Sequence, residues 1–285
     1  MFKRLLSRMP KAAKVILCTL AAVVLIAAYA FVEPYWLAVR EVHVIDSDVP
    51  VAFEGTRIAF LTDIHHGPDF SLARVRRVVD MTNRLRPDII LLGGDYVHRD
   101  AKYIAPCFAE LAELAAPLGK FGVLGNHDHW EGAALTSQKM IEAGIEWVNN
   151  RAVWVERDSQ RIKIGGVGDF WEGSQDLAPT IEDASEGDFV ILVSHHPDYV
   201  ESMTTRKVDL VLCGHTHGGQ VTLFGLWAPF VPSQYGQKYR SGVVETGLTK
   251  AIISNGIGTI GPAVRFFCRP EIVLVHVHRS EGGNT

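Results

Sequence analysis

The chain has 285 residues, 47% of them hydrophobic, enough apolar material to bury one full core after the N-terminus. Its 28 basic and 32 acidic residues are dispersed and give a net charge of −4, which excludes the basic footprint of a nucleic-acid binder. Four cysteines (Cys18, Cys107, Cys213 and Cys268) have no paired spacing, which argues against a disulfide framework and a zinc ribbon.

Residues 1–14 form a basic segment with Lys3, Arg4, Arg8, Lys11 and Lys14 and no acid. Residues 15–32, VILCTLAAVVLIAAYAFV, carry no charge and just reach the length of a membrane-spanning helix. Glu33-Pro34-Tyr35-Trp36 then stops the helix and supplies interfacial aromatics. The flanking charge places the N-terminus in the cytoplasm and the globular part across the membrane. Ala28-Tyr29-Ala30 resembles a signal-peptidase site, so a cleaved leader is the competing reading; the long apolar run and the trailing aromatics favour a retained single-pass anchor. A buried soluble helix would show polar residues at helical spacing, and none occur here.

A linker and first strand (33–54) lead into one domain (55–279) and a short tail (280–285). RIAFLTDIHH reads as a strand and its C-terminal loop. A helix follows over Ser71 to Leu85, with Ser71 as N-cap and Leu72, Val75, Val78, Val79 and Met81 on its apolar face. Next come the strand PDIILLGGD, a helix over Ala101 to Ala115, the strand FGVLGNHD and a helix near Gly132 to Ala143. AVWVER and RIKIGGV read as a hairpin joined by Asp158-Ser159-Gln160. VILVSHH and VDLVLCGHTH are two further strand-to-loop units, and AIISNG, AVRFFC and EIVLVHVHR are short closing strands. Such mixed content predicts two sheets sandwiched between helices.

Five of these strands end in metal-binding residue types: Asp63-Ile64-His65, Gly94-Asp95, Gly125-Asn126-His127-Asp128, His195-His196 and Gly214-His215-Thr216-His217. Buried strands deliver the residues that follow them to one sheet edge, so the five islands converge on one point. An extended Asp63-Ile64-His65 would send positions 63 and 65 to the same side, and His215 and His217 alternate likewise. Asp95 follows two glycines that permit close approach, and its two oxygens can bridge two cations. Singly each motif is weak. In this order, each behind a strand, they point to metal.

D-x-H, G-D, G-N-H-D, a lone His and G-H-T-H in this order resemble the calcineurin-like metallophosphoesterase family over about residues 55–279. The resemblance implies a four-layer αββα sandwich, an α/β (α+β) fold of the metallophosphoesterase type, here preceded by one transmembrane helix. It implies one ion on Asp63, His65 and His217, a second on Asn126, His195 and His215, and Asp95 bridging them. His195 is preferred to His196 because it directly follows VILVS. The mixed His, Asp and Asn set accepts Mn, Fe or Zn, with manganese favoured. A water shared by two such cations loses its proton near neutral pH and becomes the nucleophile. His127 resembles the family's catalytic histidine, protonating or stabilising the leaving oxygen, with Asp128 placed to orient its ring.

Substrate contacts are expected from His196, His66 and Arg265, against a structural role for His66 and a surface salt bridge for Arg265. The apolar run Leu223 to Val231 follows the last ligands and could dip into a bilayer or pack in the core. The chain is most similar to the bacterial membrane-anchored branch of the family, which implies a monomeric hydrolase of a phosphodiester or pyrophosphate in a lipid or envelope substrate. The inner membrane is its expected location, with the catalytic domain outside the cytoplasm. The alternative is a UDP-2,3-diacylglucosamine hydrolase of lipid A synthesis on the cytoplasmic face. A nuclease and a catalytically inactive interaction module are less favoured.

Overall fold

The computed structural model describes residues 10–280. Lys3, Arg4, Arg8 and most of the C-terminal tail therefore lie outside the described residues. Helix α1 (Lys11–Val32) buries none of its residues. At roughly 1.5 Å per residue its 22 residues match a hydrocarbon layer of about 30 Å, so it is long and apolar enough to cross a membrane. Pro34 ends it through a 3₁₀ turn at Glu33–Tyr35.

The remainder is an α/β fold of two six-stranded sheets. The first contains β1 (Ala38–Asp46), β2 (Thr56–Leu61), β3 (Ile89–Leu92), β4 (Lys120–Gly122), β5 (Glu146–Trp147) and a late strand, Glu271–Arg279. The second contains β6 (Arg151–Arg157), β7 (Gln160–Gly166), β8 (Val190–Ser194), β9 (Leu210–Cys213), β10 (Gly242–Glu245) and β11 (Lys250–Ile253). With the late strand as β12, the orders are β1-β12-β2-β3-β4-β5 and β10-β11-β9-β8-β7-β6. Strands β2 to β5 run parallel, as do β7, β8, β9 and β11.

The pleat explains the continuous apolar runs. In β3, Ile89 and Leu91 enter the layer between the sheets, where Phe60, Ile164, Ile191 and Leu212 meet them. Ile90 and Leu92 face outward, against α2 (Leu72–Arg84), α3 (Ile104–Leu111) and α4 (Asn126–Glu142). The outer face of the second sheet has a thinner cover. It consists of the four-residue helix α5 (Ala178–Ile181) and 3₁₀ turns carrying Tyr199, Val200 and Tyr239.

Four features depart from the sequence reading. AVRFFC is no strand: it makes one bridge, Phe266 to Val221, because Arg265 turns inward and the backbone around it bonds to the end of α1. The helix expected over 101–115 starts as a 3₁₀ turn on an Asp100 cap and is α-helical only over Ile104–Leu111. The one expected near 132 starts earlier, at Asn126, and kinks at Gly132, where φ is 141°. The hairpin turn is tighter than expected, since Gln160 already pairs with Arg157.

Candidate metal centre

The C-terminal ends of β2, β3 and β4 meet those of β8 and β9 at one end of the sandwich. Gly214 N–H donates to His195 O at 3.0 Å within the second sheet, and a cross-sheet bond from the His195 ring to Gly93 O at 2.7 Å locks the two sheets together there. The local backbone differs from the extended course expected of Asp-x-His. Asp63, His65, Asp95, His215 and His217 all adopt left-handed φ, from 50° to 67°. Each such residue costs on the order of 1–3 kcal/mol, so strain is concentrated in the residues that form the cluster. Neighbouring bonds hold it in place. Asp63 N–H donates to Gly94 O, His65 N–H to Asp95 O, and His215 N–H to the Asp63 carboxylate. Gly94 and Gly214 permit the crowding. A Cβ at Gly94 would lie 2.4 Å from Gly125 N, and one at Gly214 would lie 2.4 Å from Asp63 Oδ2.

The seven residue positions expected as ligands come together in two adjoining groups. In one, His65 Nε2 lies 3.1 Å from His217 Nε2, and Asp63 Oδ1 is 3.3 Å from His217 Nε2. In the other, His215 Nδ1 is 3.0 Å from Asn126 Oδ1 and 3.3 Å from His195 Nε2. Asp95 Oδ2 lies between them, 3.5 Å from His65 Nε2 and 3.3 Å from His195 Nε2. Ligands at about 2.1 Å from a common ion are separated by roughly these distances.

Proton placement supports the same fit. The His195 Nδ1 proton must point at the Gly93 carbonyl, which can only accept. In the neutral ring Nε2 is then a bare lone pair facing the Asp95 carboxylate, and a proton or a metal cation must lie between them. Burial disfavours charge on His195, yet Asp95 holds its pKa well above the ordinary histidine range. Burial likewise opposes ionisation of Asp95, but His195 and then His65 keep its carboxyl well below the usual range. Burial pushes Asp63 up to about 6, against the pull of His195. It holds His65, His215 and His217 well below the histidine range, so all three are neutral with lone pairs available. The buried ring nitrogens without a hydrogen-bond partner are His65 Nδ1, His215 Nε2 and His217 Nδ1, which are not the nitrogens that enter the cluster.

His127 sits beside this cluster, its ring edge-on to His65 at 4.8 Å. Arg99 Nε donates to His98 Nε2 at 3.2 Å, so neutral His98 carries its proton on Nδ1. That nitrogen is 3.0 Å from His127 Nδ1, which leaves the His127 proton on Nε2. Asp128 does not orient the His127 ring, contrary to expectation. Its carboxylate accepts the backbone N–H groups of Asp95, Tyr96 and Gly125 at 2.7–2.9 Å, so it shapes the ligand loops instead. The start of α4 at Asn126 explains this, since residue 128 is placed to cap the helix's own first turn.

The three residues expected to contact substrate are all buried. His66 is buried, and its Nδ1 bonds to Phe70 O at 2.7 Å within its own loop. His196 is buried against the His215 ring at 4.1 Å, and burial, then the His195 charge, lowers it to about 3. Arg265 makes neither a phosphate arm nor a surface salt bridge. It is fully buried, with its guanidinium on the carbonyls of Gly258, Asn255 and Cys268. Sequence reasoning missed the two half-exposed tryptophans beside the cluster. Trp171 stands edge-on to His215 at 4.4 Å, and Trp130 packs on His127 at 4.5 Å while donating to Glu172. The position of Trp130 three residues after His127 was the available signal.

Two packed sheets that gather carboxylate, amide and imidazole groups around adjoining points at their strand ends define a metal-dependent hydrolase. Residues 56–219 match the calcineurin-like phosphoesterase family, and the chain belongs to it. It is 31% identical to the uncharacterized metallophosphoesterase YkuE of Bacillus subtilis, over 86% of each chain. It is 32% identical to the phosphodiesterase YaeI of Escherichia coli, over 78% of this chain and 82% of that one. A transmembrane protein with a metallophosphoesterase domain from Danio rerio is 27% identical over 81% of this chain and 56% of its own length. The protein is thus a metal-dependent phosphoesterase of a family that uses a dinuclear divalent centre.

Proposed function

We propose that the protein is a membrane-anchored phosphodiesterase or pyrophosphohydrolase acting on an envelope substrate outside the cytoplasm. The carrying observation is Asp95 Oδ2, within 3.5 Å of an imidazole nitrogen from each group. Asp63, His65 and His217 would hold one ion and Asn126, His195 and His215 the other, with Asp95 shared. The mixed set of four imidazoles, two carboxylates and one amide accepts Mn, Fe or Zn, and manganese is the ion we favour. Two divalent cations there supply Lewis acidity toward phosphoryl oxygens and an activated water.

The chain's own residues do the rest. The Gly93 carbonyl fixes the His195 tautomer with Nε2 free, and burial keeps the other imidazoles neutral and able to ligate. The Arg99–His98 relay keeps a proton on His127 Nε2, the atom that would pass it to the departing oxygen. A phosphodiester reading is supported by the relative YaeI, a phosphodiesterase. Retention of the anchor is supported by the contacts of Tyr29 and Ala30, which are helical and bonded to the domain rather than extended for cleavage. Lys11 and Lys14 at the start of α1 support a cytoplasmic N-terminus.

The test is hydrolysis of bis-aryl phosphodiesters by the full chain with manganese. His127→Ala should lose about 10²–10⁴-fold in rate, most for poor leaving groups, with manganese content unchanged. Wild-type rates in that variant would refute the proton-donor role, and no hydrolysis by the wild type would refute the enzyme reading.

A further inference from the structure

Five large apolar side chains of the loop after the ligand turn are exposed, with Leu226 82%, Phe230 72% and Phe224 68% accessible and Leu223 and Trp227 about half so. Core packing would have buried them; only Ala228 is buried for that purpose. The loop is nevertheless ordered. Leu223 N–H donates to Trp227 O at 2.7 Å, and the Thr222 hydroxyl donates to the carbonyls of Phe266 and Phe267 at 3.0 Å.

Residues 265–268, on which the loop rests, are bolted to the end of α1. Arg265 N–H donates to Ala30 O at 3.0 Å, and the buried Glu33 carboxylate accepts Phe267 N–H and Cys268 N–H at 2.7 and 2.8 Å. Tyr29 packs on Phe266 and Phe267 at 5.5 Å, and Phe267 on Phe224 at 5.4 Å. Tyr29 lies inside α1, three residues or about 4.5 Å before its end. The level of the loop relative to the helix is therefore fixed. If α1 crosses a bilayer, Phe224 and Phe267 lie near the boundary of headgroups and acyl chains, where Trp36 and Arg269 also belong.

We propose that the Leu223–Val231 loop, with Phe267, is a second membrane contact that inserts into the same leaflet as the end of α1. This rests on the anchored-phosphodiesterase reading and deepens it. A bilayer, rather than a protein partner, is favoured because the patch is continuous with the exposed apolar surface of α1 through Tyr29. The contact also holds the cleft against the leaflet. The ligand turn is joined to the loop by Gly218–Gln220, and Arg265 and Cys268 both reach His217 O, at 3.4 and 3.3 Å. The substrate class that fits is a phosphodiester or pyrophosphate with one side anchored in lipid and a soluble leaving group on the other. Water loses a proton to solvent as its oxygen bonds to phosphorus, the bond to the leaving oxygen breaks as that oxygen takes a proton from His127 Nε2, and the lipid phosphate stays in the leaflet.

The test uses the full chain in phosphatidylcholine–phosphatidylglycerol vesicles, in a Cys18→Ser background because the other cysteines are buried. An environment-sensitive fluorophore is placed at Leu226→Cys and, as the control, at the exposed Ile141→Cys on α4. The position-226 label should be quenched several-fold more than the control by lipids spin-labelled near the headgroup. Equal, water-like quenching at both positions would overturn the membrane contact. A phospholipid with a p-nitrophenol headgroup should be cleaved in the same vesicles. Its resistance, while a water-soluble diester is hydrolysed, would overturn the lipid substrate class. Failure on both diesters would count against the enzyme reading and leave the contact standing, to be judged by the quenching alone.

Discussion

Arg265→Met separates a clamp from a substrate arm. The substitution keeps most of the side-chain length and removes the guanidinium, which donates to Gly258 O at 2.6 Å, Asn255 O at 2.8 Å and Cys268 O at 3.1 Å. Three charge-assisted bonds at roughly 1.5–3 kcal/mol each oppose several kcal/mol of desolvation that methionine does not incur. The carbonyls left buried without donors decide the sign, and a net loss of about 3–5 kcal/mol follows. At roughly 2–4 °C per kcal/mol for a domain of this size, the unfolding midpoint should fall by about 10 °C. The clamped segment also holds the site, because Ile257 N–H donates to Thr62 O and Gly258 N–H to Asp63 O. Manganese affinity should therefore fall with stability, while KM for a soluble diester at saturating metal stays unchanged. Thermal unfolding in detergent, metal titration and steady-state kinetics on one preparation would measure all three. An unchanged midpoint with KM raised tenfold would refute the clamp and restore Arg265 as a phosphate ligand.

Two further outcomes follow from the contacts. Asp128→Asn replaces one acceptor oxygen by a donor that must face a backbone N–H, costing about 1.5–3 kcal/mol. Manganese titration should show weaker binding, and the leaving-group dependence should stay as in wild type because Asp128 does not touch the His127 ring; a His127-like dependence would contradict this. Lys163 is buried and its ammonium pairs with the exposed Asp183, so Asp183→Asn should destabilise by about 1–2 kcal/mol at neutral pH, discounted for the exposed partner. The bonds from Lys163 and then Trp154 pull Asp183 down to about 2. That contribution is complete above about pH 4 and lost as pH falls toward 2. Acid unfolding curves of wild type and variant should converge over that window, and parallel curves would count against it.

The convergence of the five islands was legible because buried parallel strands leave little freedom about where their next residue goes. The run IILL carries no polar residue and VILVS only its last, Ser194, and they became the all-buried strands β3 and β8. The path of the backbone after each strand was not legible. Alternation suggested an extended Asp63-Ile64-His65, whereas both outer residues are left-handed, held by Gly94 and Asp95 in the loop after β3, far away in sequence. The roles of Asp128 and Arg265 were hidden for the same reason. A carboxylate beside a catalytic histidine suggests ring orientation, and an arginine beside aromatics suggests an exposed cation. Both instead satisfy backbone groups that only the assembled loops create.

Those loops also join α1 to the candidate metal centre. The backbone of Arg265 bonds to Ala30 at the end of α1, and its side chain bonds the 255–258 segment and reaches His217. Glu33, just past α1, fixes Phe267 and Cys268, and the Cys268 thiol lies 3.3 Å from His217 O. A helix that served only as a tether would need none of these bonds, since a flexible linker would hold the domain near the membrane equally well. Burying Glu33 requires the compensation its two N–H donors provide. The arrangement instead fixes the orientation of the cleft relative to α1, which matters for a substrate presented in a plane and not for one diffusing freely in solution.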